Sequence, residues 1–242
     1  MLATTSLTQI GLYILYLILP IIAIYIAYLI LTKAFNYMGF SSLEAIIIVI
    51  VSFLFGFPII LFGINISNIH LFSYNDWIVS VNTGGALIPI ILSIYLIIKK
   101  KIPLKEVGVG VLAVTIITFF VTNPEPTKGI VSHFPYWLLP AIVACFSSIF
   151  LLRKDFIKGA PLAYISGTFG VLIGADFLHL PGLLQYPPTT LGTKAIIGGA
   201  VVFDMIFITG ILAVISYGII MFKQRSKAKL DLFSLFVFFP NT

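Results

Sequence analysis

Two aspartates stand where the surrounding residues offer little to solvate them. Asp176 lies in LIGADFLHL (172–180) and Asp204 in IIGGAVVFDMIFITG (196–210), inside runs that otherwise read as membrane-crossing helix. With them go two amides, Asn65 in FGINISN (62–68) and Asn82 in VNTGGA (81–86), and His179, three residues past Asp176. An ionised carboxylate deep in hydrocarbon costs at least about 2.5 kcal/mol, so such a group turns inward and is paired, hydrated or kept protonated. Two chemistries use it. A carboxylate in a polar layer binds a cation or proton while amides hydrogen-bond a small solute. Two carboxylates at short range share one proton, and one then acts as base and the other as acid towards water. His179, nearly on the helix face of Asp176, suits a proton entry path. The bland alternative is interhelical glue, worth about 0.6 kcal/mol per hydrogen bond.

The elements that must position these groups follow from hydropathy. The 242 residues are 60% hydrophobic and 9% charged, with a mean hydropathy of +1.15. That much apolar surface exceeds what one soluble core hides, so the sequence predicts an all-α polytopic membrane protein. At about 20 residues per crossing, helices fall near 9–32, 44–64, 77–98, 106–122, 135–152, 159–180 and 195–222. The first run is long enough to cross and has no basic segment before it, so it is read as a retained helix rather than a cleaved signal. Lysines and arginines are uneven between the connections. Twelve, including Lys33, Lys99–Lys101, Lys105, Arg153, Lys154 and Lys158, lie in one alternate set, against Lys128 and Lys194 in the other. The positive-inside rule then sets the N-terminus outside and the C-terminus in the cytoplasm of a cell membrane. Trp77 and Trp137 fall at outer helix ends, suited to the interface. The net charge of +6 is thereby assigned to topology and anionic lipid, not to nucleic acid. The single Cys145 sits in an apolar run and reads as packing. No cofactor is implied, and the scattered His70, His133 and His179 lack the short spacing of a metal pair.

Within the chain YLILPIIA (16–23) is echoed by YWLLPAIVA (136–144), Phe55-Gly56 by Phe169-Gly170, GIN (63–65) by GAD (174–176), and Gly84-Gly85-Ala86 by Gly198-Gly199-Ala200. The order is kept and the offsets drift only from 120 to 111, which suggests two three-helix halves. The halves are 1–105 and 131–229, joined by a linker helix within 106–130 and followed by an interfacial tail at 230–242. Four helices of displacement make the halves parallel, with a central seam. Pro58 and Pro89 would kink their spans, whereas Pro161 opens its helix. At about 1.5 Å per residue Asn82 and Asp176 lie about 8 Å below the outer surface and Asp204 about 9–15 Å, one shared layer with Asn65 at its outer edge.

NTGGALIPIILSIYL (82–96), YISGTFGVLIGADFLHL (164–180) and IIGGAVVFDMIFITGILAV (196–214) resemble the prokaryotic membrane-protein family known as domain of unknown function 1614, with FGINISNIHLF (62–72) a weaker match. The resemblance implies a multi-pass membrane protein and supplies no reaction. It leaves the first helix uncovered, and Met205 replaces the family's glycine after the aspartate. A second, looser similarity concerns chemistry. GADF is similar to the Gly-x-Gly-Asp signature of presenilin-type intramembrane aspartyl proteases, and VVFDM to their Tyr-Asp helix. The order of the two is reversed, Ala175 stands for the second glycine, and the Pro-Ala-Leu element is missing.

The leading expectation is a small-solute or ion transporter of 3+1+3 design, with Asn65, Asn82, Asp176, Asp204 and His179 at its site. The rival is an aspartyl protease with Asp176 and Asp204 as the catalytic pair, which requires the carboxylates within about hydrogen-bonding or one-water reach. A third is a non-catalytic subunit of a membrane complex. The partners expected are the lipid bilayer and a small solute, cation or proton, with association between copies of the chain left open.

Overall fold

The computed structural model describes residues 7–152, 155–188 and 193–238, with side chains left aside at 7, 8, 10 and 224–238; Arg153, Lys154 and the tail residues 239–242 lie outside the described residues. The fold is mostly helical. Helix α1 (Leu7–Met38) ends at Gly39, whose φ of +92° is open to glycine without strain. Gly39 N–H donates to Asn36 O and Phe40 N–H to Phe35 O, and the Phe35 and Phe40 rings meet edge to face at 5.7 Å. This pairing satisfies carbonyls that a helix end would otherwise orphan. Ser41 then starts α2 (Ser42–Leu54) with a reciprocal cap: Glu44 N–H donates to Ser41 Oγ at 3.2 Å and Ser41 N–H to Glu44 Oε2 at 2.7 Å.

After α2 the chain departs from the expected helices. Residues 44–64 do not form one span: α2 stops at Leu54, and a short hairpin of β1 (Ile60–Leu61) and β2 (Ile64–Asn65) follows. Nor is 77–98 helical throughout. Strands β3 (Asn68–Tyr74) and β4 (Trp77–Asn82) pair through the two-residue turn Asn75-Asp76, both at positive φ. That backbone matches the twist of the flanking strands and is tolerated by Asn and Asp. A π-helical turn (Thr83–Leu87) leads from β4 into α3 (Ile88–Lys100). Pro58 falls after α2, outside any helix, and Pro89 lies in the first turn of α3, directly after the π-helical turn.

Helix α4 (Leu104–Val121) is followed by the hairpin β5 (Asn123–Glu125) and β6 (Gly129–Val131) and then α5 (Leu139–Leu151). Helix α6 (Phe156–Val171), with Pro161 inside it, passes through a second π-helical segment (Leu172–Phe177) into α7 (Leu178–Leu183). The expected helix from 195 begins as β7 (Thr193–Ile197), and α8 (Met205–Phe238) starts ten residues later, running on as helix past residue 230. β7 pairs in parallel with β4, Val79 opposite Ala195, to complete a sheet ordered β3-β4-β7.

Among the described residues five helical stretches are long and apolar enough to cross a membrane: Gly11–Met38, Thr83–Lys100, Leu104–Val121, Phe156–Leu183 and Met205–Lys223. The other two expected crossings hold α2 and α5, of 13 residues each. At about 1.5 Å per residue each is about 20 Å long, short of a hydrocarbon layer of about 30 Å. Composition and these helices make the chain an integral membrane protein. The central element is α6, buried at every residue from Gly159 to Thr168 and packed against α3, α4, α5 and α8. In contrast α1 is exposed all round from Gly11 to Ile30 and docks only through residues such as Ala34, Phe35 and Met38. The chain alternates direction, so the sheet and hairpins gather at one end of the bundle, and Lys99–Lys101, Lys105 and Lys158 lie at the other.

Candidate functional site

At the sheet end a cavity of about 410 Å³ is walled by β7, the β5–β6 turn, Leu180 and Leu183 of α7 and the loop that leads into α8. Asp176 and Asp204 both line it. They arrive by different devices. Asp204 is the N-cap of α8, with extended backbone (φ −68°, ψ 146°) and a carbonyl that accepts the first helical bond from Ile208 N–H at 2.9 Å. Its carboxylate accepts from Ile206 N–H at 3.0 Å and from Ala200 N–H at 3.3 Å. The preceding loop is strained: Val201, a β-branched residue, sits at φ +57°.

Asp176 lies in the π-helical segment of the α6–α7 rod, where an extra residue re-aims the side chains that follow. Two residues earlier, Gly174 lies against α4, and a Cβ there would come within 2.6 Å of Thr115 O. Among the described residues nothing donates a hydrogen bond to the Asp176 carboxylate, and the charge it meets is that of Asp204. Both aspartates are half-buried and line the cavity.

What holds this geometry is the junction of β4 and β7. A Cβ on Gly85 would lie 2.0 Å from Gly198 O, and one on Gly198, at φ +73°, would lie 2.6 Å from Ala86 N. The two Gly-Gly-Ala motifs therefore pack backbone against backbone, and the loop carrying Asp204 leaves from that contact. Asn82 supports it from below. It is 2% exposed, its Oδ1 accepts from Gly85 N–H at 2.9 Å, and its Nδ2 donates to Phe55 O at 3.1 Å and to Asn68 Oδ1 at 2.9 Å.

The expected site residues thus separate. Asp176 and Asp204 come together; Asn82 is tied up as a cap, and Asn65 closes a turn by accepting from Ser67 and Asn68 N–H at 3.0 and 3.1 Å. His179 is stacked on Phe119 at 4.6 Å with Nε2 3.0 Å from Phe119 O, outside the cavity wall. His70 pairs with Ser73, and His133 lies 3.9 Å from Glu125. Trp77 is not an interfacial indole: it is 2% exposed and donates to Tyr186 O at 2.9 Å. It is buried in a small core with Val79, Leu183, Leu184 and Ala195.

Three wall features were not foreseen as site elements: the edge strand β7, Lys128 and Lys194. Lys128 is held by Glu125 at 2.9 Å. A signal existed, for these are the two lysines that break the charge asymmetry of the connections, and they line one cavity with the two aspartates.

A family model described as protein of unknown function (DUF1614) matches residues 61–215, a stretch that begins in β1 and ends within α8. No curated protein matches the chain, and no solved structure does.

Proposed function

The chain belongs to the DUF1614 family, whose description assigns no reaction, and on that premise we propose that it is a membrane-embedded aspartyl hydrolase that cuts peptide bonds at its sheet end. The observation that carries the reading is the convergence of Asp176 and Asp204, 28 positions apart in sequence, on one cavity where the charge of Asp204 reaches Asp176. Two carboxylates so placed hold one proton between them at lower cost than none.

Their surroundings divide the roles. Asp204 receives two backbone N–H donors and the positive end of α8, both of which favour a carboxylate. Asp176 has no such donor among the described residues and keeps the proton. Asp204 removes a proton from water, the oxygen adds to the peptide carbonyl carbon, and Asp176 passes its proton to the carbonyl oxygen. Collapse of the resulting diol returns that proton to Asp176. The proton on Asp204 goes to nitrogen as the C–N bond breaks, leaving an acid, an amine and the original pair. The strand β7 supports a peptide substrate: it is the edge of its sheet, and all five of its residues line the cavity, so an extended chain can pair along it. By the lysine distribution the sheet end faces outside.

The test is cleavage of a fluorogenic peptide by the purified protein in liposomes. Asp176→Asn and Asp204→Asn should each lower the rate at least a hundredfold. Retention of the wild-type rate by either variant removes the proposal.

A second reading, transport of a small solute or cation, is favoured by the size of the cavity and by the two carboxylates, Asp176 and Asp204, that line it. In that reading the solute meets Asp176, Asp204, Lys128 and Lys194, because the amides of Asn65 and Asn82 are spent on turns and caps. Ion or solute flux without peptide cleavage would favour it over hydrolysis.

A further inference from the structure

Two hairpins at the sheet end, β1–β2 and β3–β4, turn on different residues. The turn between β3 and β4 is Asn75-Asp76, polar residues that tolerate positive φ. Between β1 and β2, where Leu61 pairs with Ile64, the turn is Phe62-Gly63, at φ +50° and +81°. Glycine suits that backbone, but a phenylalanine ahead of it does not, since such a turn selects asparagine or aspartate. Phe62 is also fully exposed, so packing within the chain does not account for it either.

Its neighbours share this character. Phe57, Ile60, Leu61 and Ile64 are exposed, and no Asp, Glu, Lys or Arg occurs from Ala45 to Asn75. The patch continues the outer face of α2, for the rings of Phe53 and Phe57 meet edge to face at 5.7 Å across the helix end. That helix is about 20 Å long and stops about 10 Å short of a hydrocarbon layer of about 30 Å. The base of the hairpin meets its backbone groups from within the chain. Ser67, fully buried, accepts from Ile59 N–H at 3.0 Å and donates to Phe57 O at 2.6 Å. Ile66 N–H donates to Ile59 O and Thr83 N–H to Ser67 O, both at 2.9 Å. A segment withdrawn from bulk water requires this.

We propose that the β1–β2 hairpin is a lipid-binding wedge, seated in the leaflet at the sheet end with Phe62 among the acyl chains. Its occupant is the bilayer, because the uncharged surface it presents is continuous with the apolar face of α2 in an integral membrane protein. The hairpin thereby carries on, in another backbone form, the crossing that α2 begins. A Cβ on Gly56 would lie 3.2 Å from Val201 Cγ2, so the end of α2 abuts the loop before Asp204. Seating the hairpin in lipid holds that loop, and the cavity beside it, at the membrane surface. The wedge stands whether the cavity hydrolyses or transports.

Depth is measured on the full chain in phosphatidylcholine liposomes, with Cys145→Ala and one nitroxide-labelled cysteine at a time. Phe62→Cys reports the tip, Ile47→Cys the exposed face of α2 and Asn75→Cys the other hairpin. The ratio of collisions with oxygen to collisions with a water-soluble nickel chelate should be as high at 62 as at 47, and about tenfold lower at 75. Nickel access at 62 equal to that at 75 places the hairpin in water and overturns the proposal. Shielding of 62 from both reagents, the sign of a second copy or another protein on the patch, overturns it as well. Phe62 is fully exposed, so its replacement leaves the packing intact, and Ile64→Cys, also exposed, reports the same hairpin from its second strand.

Discussion

Asp204 does two things that separate substitutions can tell apart. As the N-cap of α8 it satisfies Ile206 N–H, a role asparagine fills about as well; as a carboxylate it carries charge, which asparagine cannot. Asp204→Asn, which keeps the bond from Ile206 N–H and gives up only the 3.3 Å bond from Ala200 N–H, should lower the thermal midpoint in detergent less than Asp204→Ala, which loses both and should destabilise the fold by about 1 kcal/mol. If alanine were as stable as asparagine, the capping geometry would be wrong. The aspartates were legible in the sequence because a carboxylate amid Leu, Ile, Val and Phe is conspicuous by energy alone. Asn65 and Asn82 were conspicuous for the same reason, yet their amides are consumed by backbone N–H and C=O groups of turns, which hydropathy does not register.

At the scale of elements, the Gly85–Gly198 contact sets where the loop with Asp204 begins. Any side chain at Gly198 meets Ala86 N and must also adopt φ +73°, so Gly198→Ala should cost about 1–3 kcal/mol and lower the unfolding midpoint in a denaturant titration. A wild-type midpoint would mean that the two strands do not approach as described. Ser41→Ala, which removes the reciprocal cap with Glu44, should cost about 1 kcal/mol by the same measurement. The helices α1, α3, α4, α6 and α8 were legible because their apolar runs are long. WIVSVN (77–82) and TKAII (193–197) were absorbed into helices because a short apolar run has no periodicity that distinguishes strand from helix. The sequence did hold a correction, for Asn75-Asp76 between two such runs is a hairpin turn signal.

For the whole molecule, the division into a sheet end and a lysine end is what makes a one-sided cavity. With Cys145 replaced, Lys194→Cys should react with a membrane-impermeant thiol reagent added to intact cells, and Lys101→Cys only after the cells are opened; the reverse pattern would invert the orientation. Hydropathy and charge were enough to place helices and suggest a direction, because both depend on composition summed over 20-residue stretches. The meeting of Asp176 with Asp204 was beyond them, since it depends on a π-helical turn, a parallel strand pair and a glycine contact. That meeting is open to one direct measurement. In a Cys145→Ala background, Asp176→Cys with Asp204→Cys is treated with a short bifunctional thiol reagent, beside the paired positions Val79→Cys with Ala195→Cys as reference. The structure predicts an intramolecular cross-link at 176–204 comparable to the reference; a reference pair that links while 176–204 stays free would contradict the shared site.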